Sequence, residues 1–120
     1  MKRRASPEHD LQRAVAEYLT LAIAPPGVCR AGVMWFAIDH ANARSRVTGA
    51  LRKARGVVAG IPDVMVISRR GVIGIELKTK RGRMSIEQSR LGVAMTEAGA
   101  RYVEARGLAA VEIALRSAGI

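Results

Sequence analysis

The residues best suited to chemistry lie in the stretch from Gly60 to Lys78, GIPDVMVISRRGVIGIELK. Asp63 opens a short apolar segment after an Ile-Pro turn, and Glu76 and Lys78 close the next apolar segment. Because side chains alternate between the two faces of a strand, Glu76 and Lys78 point the same way and Leu77 the opposite way. Charges on a buried sheet are costly unless something uses them. A divalent metal ion and a phosphate group are partners that would use two acids and a lysine.

Two carboxylates and a lysine at one point suit the hydrolysis of a phosphodiester bond. Asp63 and Glu76 supply hard oxygen ligands of the kind that Mg²⁺ and Mn²⁺ prefer. A metal ion held between them polarises a phosphoryl oxygen and lowers the pKa of a bound water molecule. Lys78, aimed at the same point, orients or activates that water and stabilises charge on the phosphate. These three residues are therefore the candidate catalytic residues, and the two acids are candidate metal ligands.

A helix and a strand precede this stretch. Ser6 as N-cap and Pro7 at the first helical position predict a helix that runs to about Ile23. Glu8 lies in its first turn, where an acid also has a purely structural role in complementing the helix dipole. The continuous apolar run over residues 33–38 predicts a strand buried on both faces.

The hairpin and the helix after it are marked by turn and cap residues. Strands are predicted at residues 63–67 and 72–78. Ser85 and Gln88 have the spacing of a capping box, which opens a helix that runs to about Ala98. As a capping residue Gln88 already has a structural role, so a catalytic role is a separate hypothesis. We expect this helix to turn four side chains inward, those of Leu91, Ala94, Met95 and Ala98.

A short strand at residues 102–103 and a helix that starts at Leu108 and ends at Gly119 complete the chain. The element order is therefore α-β-loop-β-β-α-β-α. This order predicts an α/β fold in which helices flank a mixed central sheet. At 120 residues the chain is expected to form one domain, with a basic tail at residues 1–5 and a basic loop, or short helix, within residues 43–60.

The net charge of +10 favours a polyanionic partner over a merely basic composition, because the basic residues cluster. Arginines and lysines on both sides of the hairpin would supply phosphate contacts that do not depend on base sequence. The candidate nucleic-acid contacts are Asn42, Arg44, Arg46, Arg52, Lys53, Arg55, Lys80, Arg81 and Arg83.

Several classes of protein are disfavoured by what the sequence lacks. The single cysteine, Cys29, excludes an intramolecular disulfide and a cysteine-based zinc site. The basic start is not followed by an apolar segment, as a secretory signal would be. No apolar run approaches the roughly 20 residues that span a membrane. We expect a soluble protein of the cytoplasm that needs no small-molecule cofactor.

The Pro-Asp…Glu-x-Lys pattern is that of the restriction-endonuclease-like nucleases. More specifically, the sequence resembles the VRR-NUC family, the virus-type replication-repair nucleases, over roughly residues 8 to 105. The segment after Asn42 departs from the family pattern, so the roles of Arg44 and Arg46 stay open. The matching positions are Glu8 with Gln12, Asn42, Gly60-Ile61-Pro62-Asp63, Ile75-Glu76-Leu77-Lys78, Gly82-x-x-Ser85-x-x-Gln88 and Gly99.

The resemblance implies a restriction-endonuclease-like core and a DNA endonuclease that depends on Mg²⁺ or Mn²⁺ and leaves 5′-phosphate ends. It implies that the backbone carbonyl of Leu77 and the side chain of Glu8 add metal ligands, and that Gln88 positions the nucleophile or supports Lys78. It also implies a stand-alone phage or bacterial type that forms a homodimer. Branched DNA, such as a four-way junction met in replication, repair or phage DNA processing, would then be the substrate.

Two alternatives come from other functional classes. One is a non-catalytic DNA-binding module that keeps the fold without the chemistry, and the presence of Asp63, Glu76 and Lys78 together argues against it. The other is a small basic structural or partner-binding protein whose acids merely pair with neighbouring arginines. In that case replacing Asp63 would disturb stability more than any reaction on DNA.

Overall fold

The computed structural model describes residues 6–39, 46–79 and 81–120. The predicted tail at residues 1–5 and the candidate residues Asn42, Arg44 and Lys80 lie outside these ranges. The elements in chain order are α1 (Pro7–Ala22), β1 (Val33–Ala37), α2 (Arg46–Ala54), β2 (Val64–Ser68), β3 (Gly71–Leu77), α3 (Ile86–Glu97), β4 (Arg101–Ala105) and α4 (Leu108–Ser117).

The four strands form one mixed sheet in the order β1-β2-β3-β4. β1 pairs with β2 and β2 with β3 in antiparallel fashion, whereas β4 pairs with β3 in parallel. A parallel neighbour requires a crossover connection, and α3 supplies it between β3 and β4. The predicted α/β class with a mixed sheet flanked by helices is confirmed, and the fold is consistent with a restriction-endonuclease-like core.

The hydrophobic core lies on one face of the sheet. Trp35, Val66 and Ile73 face one another across three neighbouring strands and are almost completely buried. Val15 and Leu19 of α1 and Val111 and Leu115 of α4 belong to the same buried cluster. The indole of Trp35 donates a hydrogen bond of 2.7 Å to the carbonyl of Ala24, so its one polar atom is satisfied where it is buried.

Two predictions about burial are wrong. In β1 only Trp35 is buried, while Met34 and Phe36 are half-buried and Ala37 is exposed. The cause is topological, because β1 has a neighbour on one side only and a single core-facing surface. In α3 no residue is buried: Leu91 and Met95 are half-buried, whereas the expected inward residues Ala94 and Ala98 are exposed.

The segment expected mainly as a basic loop contains a helix. Residues Arg46–Ala54 form α2, in which the Arg, Lys, Leu and Ala residues favour a helix. Gly56 ends it with a φ of 87°, and its N–H donates to the carbonyl of Lys53 at 3.0 Å. Within the described ranges, none of the helices is both long enough and apolar enough to cross a membrane.

Candidate active site

Asp63 is fixed at the amino end of β2 by three hydrogen bonds that involve the backbone. Its N–H donates to the carbonyl of Ile75 at 3.0 Å, and its own carbonyl accepts from the N–H of Ile38 at 2.9 Å. The N–H of Leu77 donates to Oδ2 of the Asp63 side chain at 2.8 Å. The carboxylate of Asp63 is therefore held by β3, the same strand that carries Glu76.

Glu76 lies on the sheet face opposite the core. Its neighbours Ile75 and Leu77 are buried in the core, so the alternation predicted from the sequence is confirmed. The Glu76 side chain is only 5% exposed. Oε1 accepts a hydrogen bond from Nε2 of Gln88 at 2.7 Å and lies 3.6 Å from Nζ of Lys78. Oε2 is buried and has no hydrogen-bond partner among the described residues.

The environment of Glu76 favours its protonated form. Burial raises the pKa of Glu76 from 4.5 to about 7, the neighbouring negative charge of Asp63 adds to the rise, and the positive charge of Lys78 opposes it. An added cation would oppose this shift, because it favours the charged form of both carboxylates. Two acids that share one strand end form an arrangement to which a cation can bind.

The first turn of α3 aims Gln88 at Glu76. Oγ of Ser85 accepts from the N–H of Gln88 at 3.1 Å, and Oε1 of Gln88 accepts from the N–H of Ser85 at 2.9 Å. This confirms the predicted capping box. Because the amide oxygen of Gln88 is occupied by the cap, its NH₂ group faces Glu76. The amino end of α3, which carries the positive end of the helix dipole, therefore lies beside the carboxylates.

Tyr102 is a site-supporting residue that the sequence analysis missed. Its hydroxyl donates to the carbonyl of Gly60 at 3.0 Å, so β4 holds the turn that leads to Asp63. Its ring lies against Gly92, where a β-carbon would come within 3.1 Å of the ring. Burial, together with the nearby acids Glu76, Asp63 and Glu104, raises the pKa of Tyr102 well above its usual range. In the sequence, the only indication of this role is the two-residue spacing of Tyr102 and Glu104, which places both side chains on one face of β4.

Glu104 and Arg106 are two further residues near the site that the sequence analysis did not identify. Glu104 is the parallel-strand partner of Glu76 and lies on the same face of the sheet. Its carboxylate pairs with the guanidinium of Arg106, and Nη1 of Arg106 donates to the carbonyl of Thr79 at 2.9 Å. Arg106 thus links β4 to the start of the basic loop that follows β3.

The predicted metal ligands are only partly brought together. Asp63 and Glu76 lie side by side with the backbone of Leu77 between them. Glu8 is exposed in the first turn of α1. Within the described ranges no three acidic, histidine or cysteine side chains gather into a possible metal site, so Glu8 does not complete a triad here. Its role as a ligand, like that of the Leu77 carbonyl, stays a prediction.

The predicted nucleic-acid contacts fall into two groups. Lys53 and Arg55 are exposed and Arg52 is half-buried, at the end of α2 and just after it, while Arg46 begins that helix. Arg81 and Arg83 are exposed in the loop after β3. Gly82 between them packs on the side chain of Lys78, where a β-carbon would lie 3.3 Å from Cδ. The second group is therefore adjacent to the candidate catalytic lysine.

The mixed sheet flanked by helices is consistent with a restriction-endonuclease-like fold. Among solved structures, the chain is similar to a protein described as "VRR_NUC domain protein", with a TM-score of 0.68 and 20% sequence identity. The similarity covers 96% of this chain and 89% of that one. The resemblance seen in the sequence motifs thus extends to the fold. No family model and no curated protein matches the sequence.

Proposed function

We propose that the protein is a metal-dependent endonuclease that hydrolyses phosphodiester bonds of DNA. The observation that carries the proposal is the pair of carboxylates of Asp63 and Glu76 at one strand end, with Glu76 buried and Lys78 beside it. Burying a carboxylate beside a second acid costs free energy. A divalent cation bound to both acids would offset that cost.

Each residue has a chemical role in this proposal. Asp63 and Glu76 would hold Mg²⁺ or Mn²⁺, with the Leu77 carbonyl and Glu8 as proposed further ligands. The metal ion, when bound, supplies a Lewis acid at the scissile phosphate. Lys78, which is 16% exposed in its side chain, places its Nζ 3.6 Å from Glu76, where it can stabilise negative charge developing on the phosphate. Gln88 fixes the orientation of the Glu76 carboxylate.

DNA is the proposed substrate because positive charge lies on both sides of these residues. Arg81 and Arg83 follow the catalytic strand, and Lys53 and Arg55 lie in the segment that precedes Asp63. Such contacts bind phosphates without reading bases, so we expect recognition of shape. With the family resemblance, this supports branched DNA such as a four-way junction as the preferred substrate, and 5′-phosphate ends as the product.

The test compares wild type with Asp63→Asn and Lys78→Ala on labelled duplex, flap and four-way-junction DNA in Mg²⁺ or Mn²⁺. Asp63→Asn keeps a side-chain oxygen to accept from the N–H of Leu77 and removes only the charge, so it should fold normally. We expect each variant to lose at least about a hundredfold in cleavage rate while it still binds DNA in Ca²⁺. Glu97→Gln, an exposed acid at the other end of α3, is the control and should cleave like wild type.

Two results would count against the proposal. Tight binding with no cleavage in any metal would leave a non-catalytic DNA-binding module. Cleavage that persists in Asp63→Asn at the wild-type rate would place the reaction elsewhere on the chain.

A homodimer is part of the proposal. The sheet face opposite the core carries Met34, Phe36 and Met65, which are half-buried, and Ile67, which is 37% exposed. A partly open apolar face is a surface that a second copy of the chain can cover, and a two-fold dimer is the simplest way to cut two strands symmetrically. Sedimentation at micromolar concentration should give a dimer. A monomer, with and without DNA, would contradict this part of the proposal.

A further inference from the structure

Four arginines gather at the end of the sheet opposite the candidate active site. Arg69 and Arg70 form the two-residue turn between β2 and β3. Arg30 forms a bridge with Val33 at the start of β1, and Arg101 is the first residue of β4. All four are exposed. We call Arg30, Arg69, Arg70 and Arg101 the hairpin-end cluster.

The side chains of this cluster form neither an ion pair nor a hydrogen bond with any described residue. Three acids pair with cations outside the cluster: Glu76 with Lys78, Glu104 with Arg106, and Glu112 with Arg116. Four arginines at one end of the sheet, without acidic partners among the described residues, make this end positively charged. Such an arrangement is used when an anion from outside the chain neutralises it.

Two of the arginines are held against the backbone. The stem of Arg69 lies on Gly32, where a β-carbon would come within 3.1 Å of Nε. The side chain of Arg70 lies on Gly119, where a β-carbon would come within 2.8 Å of Nη1. Both glycines leave room that any other residue would fill. The two neighbouring arginines of one turn are therefore directed to different sides and cover a broad surface.

The cluster suits phosphates better than bases. Arg70 and Arg101 line one small cavity of about 40 Å³, which is room for a few groups of the size of a water molecule or a phosphate oxygen. Single-stranded nucleic acid is usually held by aromatic side chains on which bases stack. Neither this cavity nor the cluster includes an aromatic residue. Guanidinium groups alone fit the phosphate backbone of a duplex.

The position of the cluster separates it from the DNA presented for cleavage. Asp63, Glu76 and Lys78 lie at the carboxyl end of β3, whereas the Arg69–Arg70 turn lies at its amino end, about 20 Å away along a seven-residue strand. Arg101 is aligned with Ile73 and lies nearer, about 10 Å from Glu76 along the strands. We infer that the hairpin-end cluster binds the phosphate backbone of a second duplex segment, distinct from the segment that reaches the acids. This inference rests on the proposed function and deepens it, since the second segment would be another arm of a branched substrate.

The binding test uses Arg69→Gln/Arg70→Gln in the Asp63→Asn background, so that the DNA stays intact. Affinity for a four-way junction and for a short straight duplex is measured by fluorescence anisotropy over a range of salt concentrations. We expect affinity for the junction to fall about tenfold and the slope of log K against log salt to become less steep by about two, one for each lost phosphate contact. Affinity for the straight duplex should fall by less than about threefold, which is half of the junction effect on a logarithmic scale.

The matched control is Arg13→Gln/Arg116→Gln, which removes the same charge from an exposed position on α1 and from an arginine already paired with Glu112. Equal effects of the two double variants would overturn the inference, because only net charge would then matter. Equal loss on junction and straight duplex would also overturn it, because one binding surface would explain both.

A cleavage assay separates this inference from the proposed function. With an intact Asp63, the hairpin-end variant should cut straight duplex like wild type and lose at least about fivefold in its preference for the junction. If wild type cuts nothing while the binding result holds, the surface stands and the nuclease proposal fails. If wild type cuts and the variant keeps its junction preference and salt slope, the nuclease proposal stands and the surface fails.

Discussion

Glu76 combines burial with a neighbouring negative charge, two conditions that disfavour its ionised form. Its side chain is 5% exposed and shares the strand end with Asp63. A protein without a use for this carboxylate would gain stability by replacing it. A cation bound beside Glu76 would offset the free energy lost by burying it, because the cation favours the ionised form that the free protein disfavours.

The first prediction concerns the pH dependence of stability in metal-free protein. The native pKa of Glu76 is about 7 and its ordinary value is 4.5, so between these pH values the folded chain binds more protons than the unfolded chain. The free energy of unfolding should therefore fall as pH rises from about 4.5 to about 7. Glu76→Gln should flatten this fall and raise the free energy of unfolding at neutral to mildly alkaline pH by up to about 3 kcal/mol.

Chemical denaturation in a chelator over about pH 5 to 8 measures this effect. Glu97→Gln, which removes an exposed acid, should leave the shape of the curve unchanged. Parallel curves for wild type and Glu76→Gln would show that Glu76 does not titrate in this range.

Gln88 carries two roles that suitable substitutions can separate. Its backbone N–H and amide oxygen complete the cap of α3, and its NH₂ group binds Glu76. Gln88→Glu keeps a residue suited to the capping box but replaces the donor by a second negative charge. We expect its thermal stability to stay near wild type in Mg²⁺ and its cleavage rate to fall at least about tenfold.

Ser85→Ala is the matched variant for the cap alone. It should lower the free energy of unfolding by about 1 kcal/mol and leave the cleavage rate within about twofold, because Gln88 still accepts from the backbone of residue 85. If Ser85→Ala loses activity as strongly as Gln88→Glu, then Gln88 acts through the helix and not through Glu76.

At the scale of elements, the turn before β2 is packed tightly against the start of α3. Gly60 has a φ of 86°, and a β-carbon there would come within 2.6 Å of the backbone of Glu87. Pro62 in the same turn lies over Gly74 of β3, which likewise has no room for a side chain. These close approaches set the spacing between the element that carries Asp63 and the element that carries Gln88.

Gly60→Ala should therefore lower the free energy of unfolding by much more than the strain of its backbone conformation alone would. Gly56 has nearly the same φ, 87°, but no atom lies within 4 Å of its would-be β-carbon. We expect Gly56→Ala to cost about 1 kcal/mol from the strained backbone and Gly60→Ala about 3 kcal/mol or more from strain plus the clash. Equal losses of unfolding free energy in the two variants would mean that the turn can move away from α3 without penalty.

At the scale of the whole molecule, the two faces of the sheet are covered unequally. α1 and α4 bury Val15, Leu19, Val111 and Leu115 in the core. α3 covers the other face without a single buried residue, and Ile86 and Val93 are more than half exposed. The face that carries Glu76 is therefore the less stable side of the protein, which is where ligand-binding elements are commonly found.

Hydrogen exchange should show this asymmetry directly. Amides of α3 are expected to exchange through local opening, at least about tenfold faster than those in the middle of α1, which require unfolding of the core. Mass spectrometry of peptides that cover residues 86–97 and 11–19 measures the difference. Equal protection of the two helices would show that α3 opens only with the rest of the molecule.

Much of the molecule follows from local patterns in the sequence. Ser6-Pro7 and the Ser85–Gln88 capping box mark the two helix starts where the structure has them, because caps act within a single turn. The alternation along the strand puts Leu77 on the core face and Glu76 and Lys78 on the opposite face. This follows from the sequence because side chains alternate between faces in any strand. The site is therefore placed at a strand end by the sequence alone.

Other features depend on contacts between residues distant in the chain. The hydrogen bond of Tyr102 with Gly60 and the pairing of Glu104 beside Glu76 exist only because β4 lies parallel to β3. The partial exposure of β1 and α3 follows from the strand order. It leaves β1 at an edge of the sheet and leaves α3 with no buried residue on the face that it covers. The apolar runs in the sequence do not indicate this exposure. Local propensity fixes what each segment becomes, whereas the tertiary arrangement decides which surfaces remain open and which charges meet.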